Sequence, residues 1–562
     1  MPSTGGNEIG RTARPGSTKV ESASNDEAAA PERPAPATAR DHGNSTPAMS
    51  AWQRRSAMFS MCLALFLSAL DITIVATALP TIARALGASA AEYAWIGSSY
   101  TLAATSSNPV WAKLSDVFGR RSVLMLSNAV FMAGSLVAAL SRSPAMLIGG
   151  RVIQGLGSGG SLVLVTIIIG DMFELKDRAK YYSFIGMVWA VASCVGPILG
   201  GVFTERIGWR WCFWINLPFD GASIIVLFFA LNVKWPRVPV AEALRSLDWV
   251  GCITIVGGTI CFLYGLETAS SGLHEWDSAF VLCLLIFGVL LLVLFFFYEA
   301  YFAKNPLIPV RIFRSFTNVA SFSTVCLHSL IFINCDYFLP LYFQVVLGFT
   351  PIISGVTLFA LVIPLSIFSG ASGLFIKKTG NYLLPIWFGA VMMTLGTGLY
   401  ISFDATTNWA KIIIFLIIAG IGSGPLFQSP LIALQSHVEP KDVAMASSAL
   451  AFARNLFTSI SIVVGTVLLQ RTLGGANLTA NTGSTNAAGS GAPDLAYKYI
   501  SALRVMWTFY TAAGGLLIIM TFFIKKKDLL GKNKGVASPD HEEGTAITAQ
   551  NLGKREDATP AR

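Results

Sequence analysis

Apolar stretches of about 20 residues, the helix length needed to cross a hydrocarbon core of about 30 Å, recur along the chain from Ser56 to Ile524. One water-soluble core cannot bury so many such segments. In lipid each must satisfy its backbone hydrogen bonds internally, which leaves helices. The chain reads as an all-α polytopic membrane protein. With Gly, Pro and charge as punctuation, hydropathy predicts fourteen spans, near 56–79, 93–111, 122–140, 145–171, 182–203, 210–232, 249–267, 279–302, 317–343, 352–376, 382–402, 410–435, 443–469 and 502–524.

The composition agrees, with 53% hydrophobic and 13% charged residues. A net charge of +9 raises the question of nucleic acid, but many Lys and Arg sit in short loops between apolar runs, where they orient spans. Nucleic acid is therefore not an expected partner; the lipid bilayer is. Placing both termini in the cytosol puts most loop Lys and Arg there, including KKTGN (377–381) and KKK (525–527). Residues 1–55 and 525–562 then read as disordered cytosolic tails, and the long loop 470–501 lies outside, with the sequon at Asn477 open to glycosylation. The eight cysteines show no CxxC or Cys/His spacing, so neither a disulfide nor a metal site is expected.

The chain repeats itself. Gly-x-Gly-Ser-Gly stands at 155–159 and again 265 positions later at 420–424, and the loop glycines Gly119 and Gly380 are 261 apart. A duplicated six-span unit follows, with a half over 56–232, a linker, two inserted spans and a loop over 233–316, and a second half over 317–524. Duplicated helical halves around a midplane site are a transporter architecture.

Charges inside such spans narrow the function. Asp71 lies in the first span, where a carboxylate that alternates between dry and wet surroundings can gain and lose a proton. It could instead hold a cationic substrate or pair with Arg151 or Arg454. Arg151 and Gln154 stand on neighbouring turns of the fourth span, where an arginine faces a partner or a wet cavity unless it snorkels to the helix end. Asp336, in the ninth span, is a weaker candidate acid. At the loop 113–121, Asp116 and Arg120 are one helical turn apart around Gly119, a charged latch or a plain positive-inside anchor. The fifth span carries Gly186, Gly196, Pro197, Gly200 and Gly201, a smooth face suited to a helix that rocks or simply packs closely. Trp189, Phe338, Tyr342 and Phe343 either line an apolar binding cavity or pack against lipid and protein.

LDITIVATALP (70–80), AKLSDVFGRR (112–121), RVIQGLGSGG (151–160), GPILGG (196–201) and WRWCFWINLP (209–218), in that order, resemble the fourteen-span drug:proton antiporter branch of the major facilitator superfamily. In the second half, 336–355 and 430–456 resemble fungal toxin and multidrug exporters. The resemblance implies a major facilitator fold, two six-helix halves plus two inserted central helices. It implies that Gly196 and Pro197 are an antiporter signature, that Arg151 serves proton coupling, and that Asp116, Arg120 and Asp171 form the cytosolic latch. Ala112 and Phe457 depart from the family pattern at positions where Gly is usual. The implied activity is proton-coupled efflux of amphipathic small molecules by a monomer, with protons as partner and energy source, no catalytic residue and no cofactor. A vacuolar basic amino-acid or siderophore carrier and a non-transporting sensor are the alternatives, and the plasma membrane is the expected location ahead of the vacuolar one.

Overall fold

The structure is a computed structural model that describes residues 50–230, 247–270, 272–473, 493–527 and 529. All regular structure among them is helical. The first half comprises α1 (Ala51–Leu86), α2 (Ala90–Phe118), α3 (Arg120–Ala139), α4 (Pro144–Met172), α5 (Leu175–Val202) and α6 (Asn216–Ala230). The inserted pair is α7 (Trp249–Ser270) and α8 (Ala279–Tyr301). The second half comprises α9 (Phe316–Leu341), α10 (Phe359–Thr379), α11 (Leu383–Tyr400), α12 (Trp409–Leu426), α13 (Val443–Leu473) and α14 (Pro493–Thr521). Shorter turns precede α10 (Pro351–Thr357) and follow α12 (Ser429–His437).

Thirteen helical stretches are long and apolar enough to cross a membrane by length and composition. α2, which is not among them, has 29 residues but carries Ser99, Thr105, Ser106, Ser107 and Asn108, all buried. Its polarity is turned toward protein, and it completes the fourteen spans.

The duplication is visible in the packing. An added Cβ at Gly155 or Gly159 would fall on the α2 carbonyls of Tyr100 and Ala104, and one at Gly157 on the α3 backbone at Phe131. In the second half, Gly420 and Gly424 meet the α10 carbonyls of Leu361 and Leu365, and Gly422 the α11 backbone at Met393. In both halves the same glycine spacing wedges one helix between two others, because only a hydrogen atom fits there.

α8 is the most apolar helix, with only 17% of its most apolar window buried, so it faces outward. α7 lies between α8 and the main body, packed on α2 and α13. The two halves meet along α5 with α10 and α2 with α13. At the end rich in basic loops this seam is tightly closed. Lys377 Nζ of α10 lies 2.8 Å from Asp177 Oδ1 of α5, and Gln435 Nε2 donates to Tyr182 Oη at 2.8 Å and to Ser447 Oγ at 2.9 Å. Arg178 donates to Gln435 Oε1 at 3.2 Å.

Phe338, Tyr342 and Phe343 belong to the core of the second half, around Tyr400, Phe403 and Trp507. Tyr342 stacks on Phe403 at 5.0 Å. All three are buried in that packed core, and Tyr342 also lines a small cavity with Phe403 and Asp404.

Candidate functional site

Polar side chains from four other helices of the first half gather around Asp71, which is fully buried in α1. Close approach of α4, permitted by its glycines, turns Arg151 and Gln154 inward rather than toward the membrane boundary. Arg151 is 1% exposed, so it does not snorkel. Its Nη1 forms an ion pair with Asp71 Oδ2 and donates to Gln154 Oε1 at 3.0 Å. Gln154 Nε2 donates to Asp71 Oδ1 at 3.0 Å and to Ser135 Oγ of α3 at 2.8 Å. From α6, Asn216 Nδ2 reaches the same two acceptors at 3.1 and 3.2 Å.

The guanidinium is held further by the Ile96 carbonyl at 3.3 Å and by the Tyr100 ring 4.4 Å away, both from α2. Tyr100 is itself fixed by its hydroxyl, which donates to the Ser68 carbonyl at 2.9 Å and shares a hydrogen bond with the Ser158 hydroxyl at 2.6 Å. A buried ion pair recovers its desolvation penalty only when the remaining donors and acceptors are matched; here both Asp71 oxygens accept and Arg151 Nε and Nη1 donate, while Asn216 Oδ1 is buried without a partner. The pairing left open at the sequence level falls to Arg151. Arg454 is elsewhere, donating to the Phe427 carbonyl at 2.6 Å.

The predicted latch residues also come together. Gly119, at φ 88°, turns the chain between α2 and α3, a conformation that L side chains rarely adopt. That turn aims Arg120 at Asp116 (2.5 Å), Ser115 Oγ (2.5 Å) and Asp171 at the end of α4 (2.8 Å). The cluster ties α2, α3 and α4 within one half. The bonds across the seam, Asp177 with Lys377 and Arg178 and Tyr182 with Gln435, come from residues the sequence reading did not single out.

The small residues of α5 divide between two faces. Gly196 and Gly200 press on α1 in the same half, where added Cβ atoms would meet Thr73 Cβ at 2.7 Å and the Ile74 carbonyl at 2.7 Å. Gly186 faces Ser369 of α10 across the seam, while Gly201 looks toward Ile352 and Pro197 touches the turn at Gly355. Only part of the smooth face therefore lies between the halves.

Asp336 belongs to α9, but its side chain lies outside the described residues, as does Asn477 altogether. Two residues were missed. Asn216, inside the quoted WRWCFWINLP, completes the Asp71 site, and Glu267, in the last turn of α7, is a further acid at the end of a span. A carboxylate as the last residue of the predicted span 249–267 was the available signal for the second.

Residues 61–462 match the family model described as Major Facilitator Superfamily. Among curated relatives, the efflux pump dotC of Dothistroma septosporum is 47% identical over 483 residues, covering 82% of this chain and 83% of that protein. The MFS-type transporter ppz2 of Metarhizium majus is 42% identical over 544 residues, covering 93% of this chain and 92% of the relative. Among solved structures, the human organic anion transporter MFSD10 (TETRAN) superposes with a TM-score of 0.54 at 16% identity, covering 83% of this chain and 99% of the other. At that identity the likeness is one of fold.

Proposed function

Since this chain belongs to the major facilitator superfamily, as a multi-pass membrane transporter and not an enzyme, we propose that it exports amphipathic small molecules in exchange for protons. Drugs and secondary-metabolite toxins are the substrate class. The observation that carries the reading is the sealed network around Asp71 and Arg151. In this state the halves are closed at the basic end, the cytosolic end by charge bias, and Asp71 is paired. A proton added to Asp71 removes the partner of Arg151 and weakens the links of α1 to α4 and α6.

That change has a physical route to the seam. Thr73, two residues from Asp71, donates to the Ala192 carbonyl of α5 at 3.3 Å and packs on Gly196. α5 is in turn the helix that meets α10. A shift of α1 is therefore felt where the halves join, which is what coupling between a proton site and alternating access requires. The export direction is supported by the efflux pump dotC relative.

The test is transport in inside-out vesicles carrying the full-length protein, with neutral, anionic and cationic amphipathic dyes. Under an inward-acid pH gradient, dye should accumulate, and a protonophore should abolish it. Accumulation that survives the protonophore, or no movement of any dye, would overturn the reading.

A further inference from the structure

A membrane arginine is costly unless it meets an acid, a carbonyl or a wet cavity. Arg151 has Asp71, but Arg454 of α13 has no acid: among the described residues no ion pair includes it. Its one described hydrogen bond runs from Nη2 to the Phe427 carbonyl at 2.6 Å, and its Nε is buried without a partner. Arg454 as a whole is partly exposed. From Ala451 to Gln470 every residue of α13 is buried or partly exposed and none is fully exposed, as in a helix that runs along an internal cleft rather than against lipid.

The carbonyl it holds belongs to a break inside a membrane span. α12 ends at Leu426, and the chain becomes helical again from Ser429 to His437. Pro425 and Pro430 flank the break, and neither has an N–H to continue the helical ladder. Irregular backbone at membrane depth is tolerated only where it is buried in protein or lines a cavity, and broken spans at the meeting of two halves are where carriers hold ligands. Phe427 stands at that meeting. It packs with Ala190 and Cys194 of α5 and Leu365 of α10, and an added Cβ at Gly186 of α5 would meet Phe427 Cβ at 3.9 Å. One residue on from Arg454, the side-chain amides of Asn455 and Asn108 of α2 lie 3.0 Å apart, so this level of α13 also touches the first half.

The same ring gathers a second polar group. His328 of α9, 1% exposed, stands nearly perpendicular to Phe427 at 4.9 Å between ring centroids and is stacked on Phe332 at 5.8 Å. Neither of its ring nitrogens has a hydrogen-bond partner. Phe332 lies 5.0 Å from Phe427, and Arg454 Cζ lies 5.8 Å from the Phe427 centroid. A guanidinium with donors to spare, an imidazole with an unused N–H and two phenyl rings suit the charged head and aromatic body of an organic acid, whereas a cation would meet the unneutralised charge of Arg454.

We infer that Arg454 and His328, with the rings of Phe332 and Phe427, form a subsite for amphipathic organic anions where the broken span α12 meets the first half. This rests on the export reading and deepens it by naming the charge of one class of substrate. Arg454 takes the anionic head, His328 adds a donor from α9, and the two phenyl rings take the apolar body.

The experiment is equilibrium binding of pyrenebutyrate to the purified full-length protein in lipid nanodiscs, corrected for empty nanodiscs, with uncharged pyrenebutanol as comparator. The parent should bind the acid more tightly than the alcohol. Arg454→Gln should weaken pyrenebutyrate about tenfold and leave pyrenebutanol nearly unchanged, the loss expected for a hydrogen bond to a charged group. Arg454→Lys should recover part of that loss. His328→Phe, which keeps a ring and removes the N–H, should weaken the acid about threefold and spare the alcohol. No binding of pyrenebutyrate by the parent, or equal binding by Arg454→Gln, would overturn the subsite. So would a parallel loss of both ligands with a lowered melting temperature, which is what an arginine that merely caps the broken helix predicts. Binding is read without a pH gradient, so the two proposals fail separately. Arg454-dependent binding without pumping in vesicles sinks export alone, and pumping of dyes with binding indifferent to Arg454 sinks the subsite alone.

Discussion

Gly196→Ala separates the two roles that a glycine-lined helix can have. A methyl at this position would stand 2.7 Å from Thr73 Cβ and 3.1 Å from the Ile74 amide nitrogen. The Thr73 hydroxyl can rotate away, but its Cβ is fixed to the α1 backbone, so α1 and α5 must separate by about 1 Å. The Thr73 hydrogen bond to the Ala192 carbonyl, already 3.3 Å, then lengthens past useful range. Overpacking of this kind costs about 3 kcal/mol, and about 1 kcal/mol returns because Ala is the better helix former, leaving a loss of about 2 kcal/mol.

Gly186→Ala meets only the Ser369 hydroxyl at 2.5 Å, which can turn aside, and then Ser369 Cβ at 3.5 Å. Its stability should stay within about 0.5 kcal/mol of the parent. Thermal and denaturant unfolding of the two purified variants, with transport alongside, is the assay. Gly196→Ala should lower the midpoint, and Gly186→Ala should leave it in place. A Gly196→Ala protein that melts like the parent yet fails to transport would show that Gly196 belongs to a moving contact, and would refute the static packing argued here.

In the Asp71 network, Asp71→Leu and Arg151→Met should each cost about 3–5 kcal/mol, because each strands a buried charge, while the double variant should fall short of their sum by 1 kcal/mol or more. Strictly additive losses in denaturant unfolding would deny the pairing. At the latch, Arg120→Ala should destabilise more than Asp116→Asn, and that more than Asp171→Asn, whose side chain is 45% exposed and whose bond is worth about 0–1 kcal/mol. A reversed order of unfolding midpoints contradicts this. Gln435→Ala removes the bonds to Arg178, Tyr182 and Ser447 and should speed amide hydrogen exchange at the start of α5, over residues 177–185. Unchanged exchange would mean that the seam is closed by other contacts.

Much of this was legible in the sequence because lipid leaves few choices. The spans follow from length and hydropathy, and the duplication from one glycine spacing whose steric reason is the same in both halves. The meeting of Asp71 with Arg151 was open to inference because buried charges need partners. What the sequence hid was face and register. Asn216 reaches Asp71 only because the chain breaks at Gly208–Arg210 and a short helix, Trp211–Trp214, leads into α6, a break whose exact residue no sequence pattern gives. Gly186 and Gly196 are ten residues apart, about 80° around a helix, so their different neighbours were available from geometry although both read simply as small. Phe338, Tyr342 and Phe343 carry no mark that tells core from cavity. Glu267 sat at the edge of a predicted span, where a carboxylate passes for a boundary residue.

The most direct test of the central claim, that Asp71 carries the coupled proton, is uphill transport by Asp71→Asn in vesicles under an imposed pH gradient, with protein abundance measured in parallel. The side chain keeps its size and loses its titration. The account predicts that Asp71→Asn, present in the membrane, still equilibrates substrate down its gradient but no longer concentrates it when the pH gradient is applied. Uphill accumulation with the parent's dependence on the gradient would contradict the claim and move the proton site to another membrane acid.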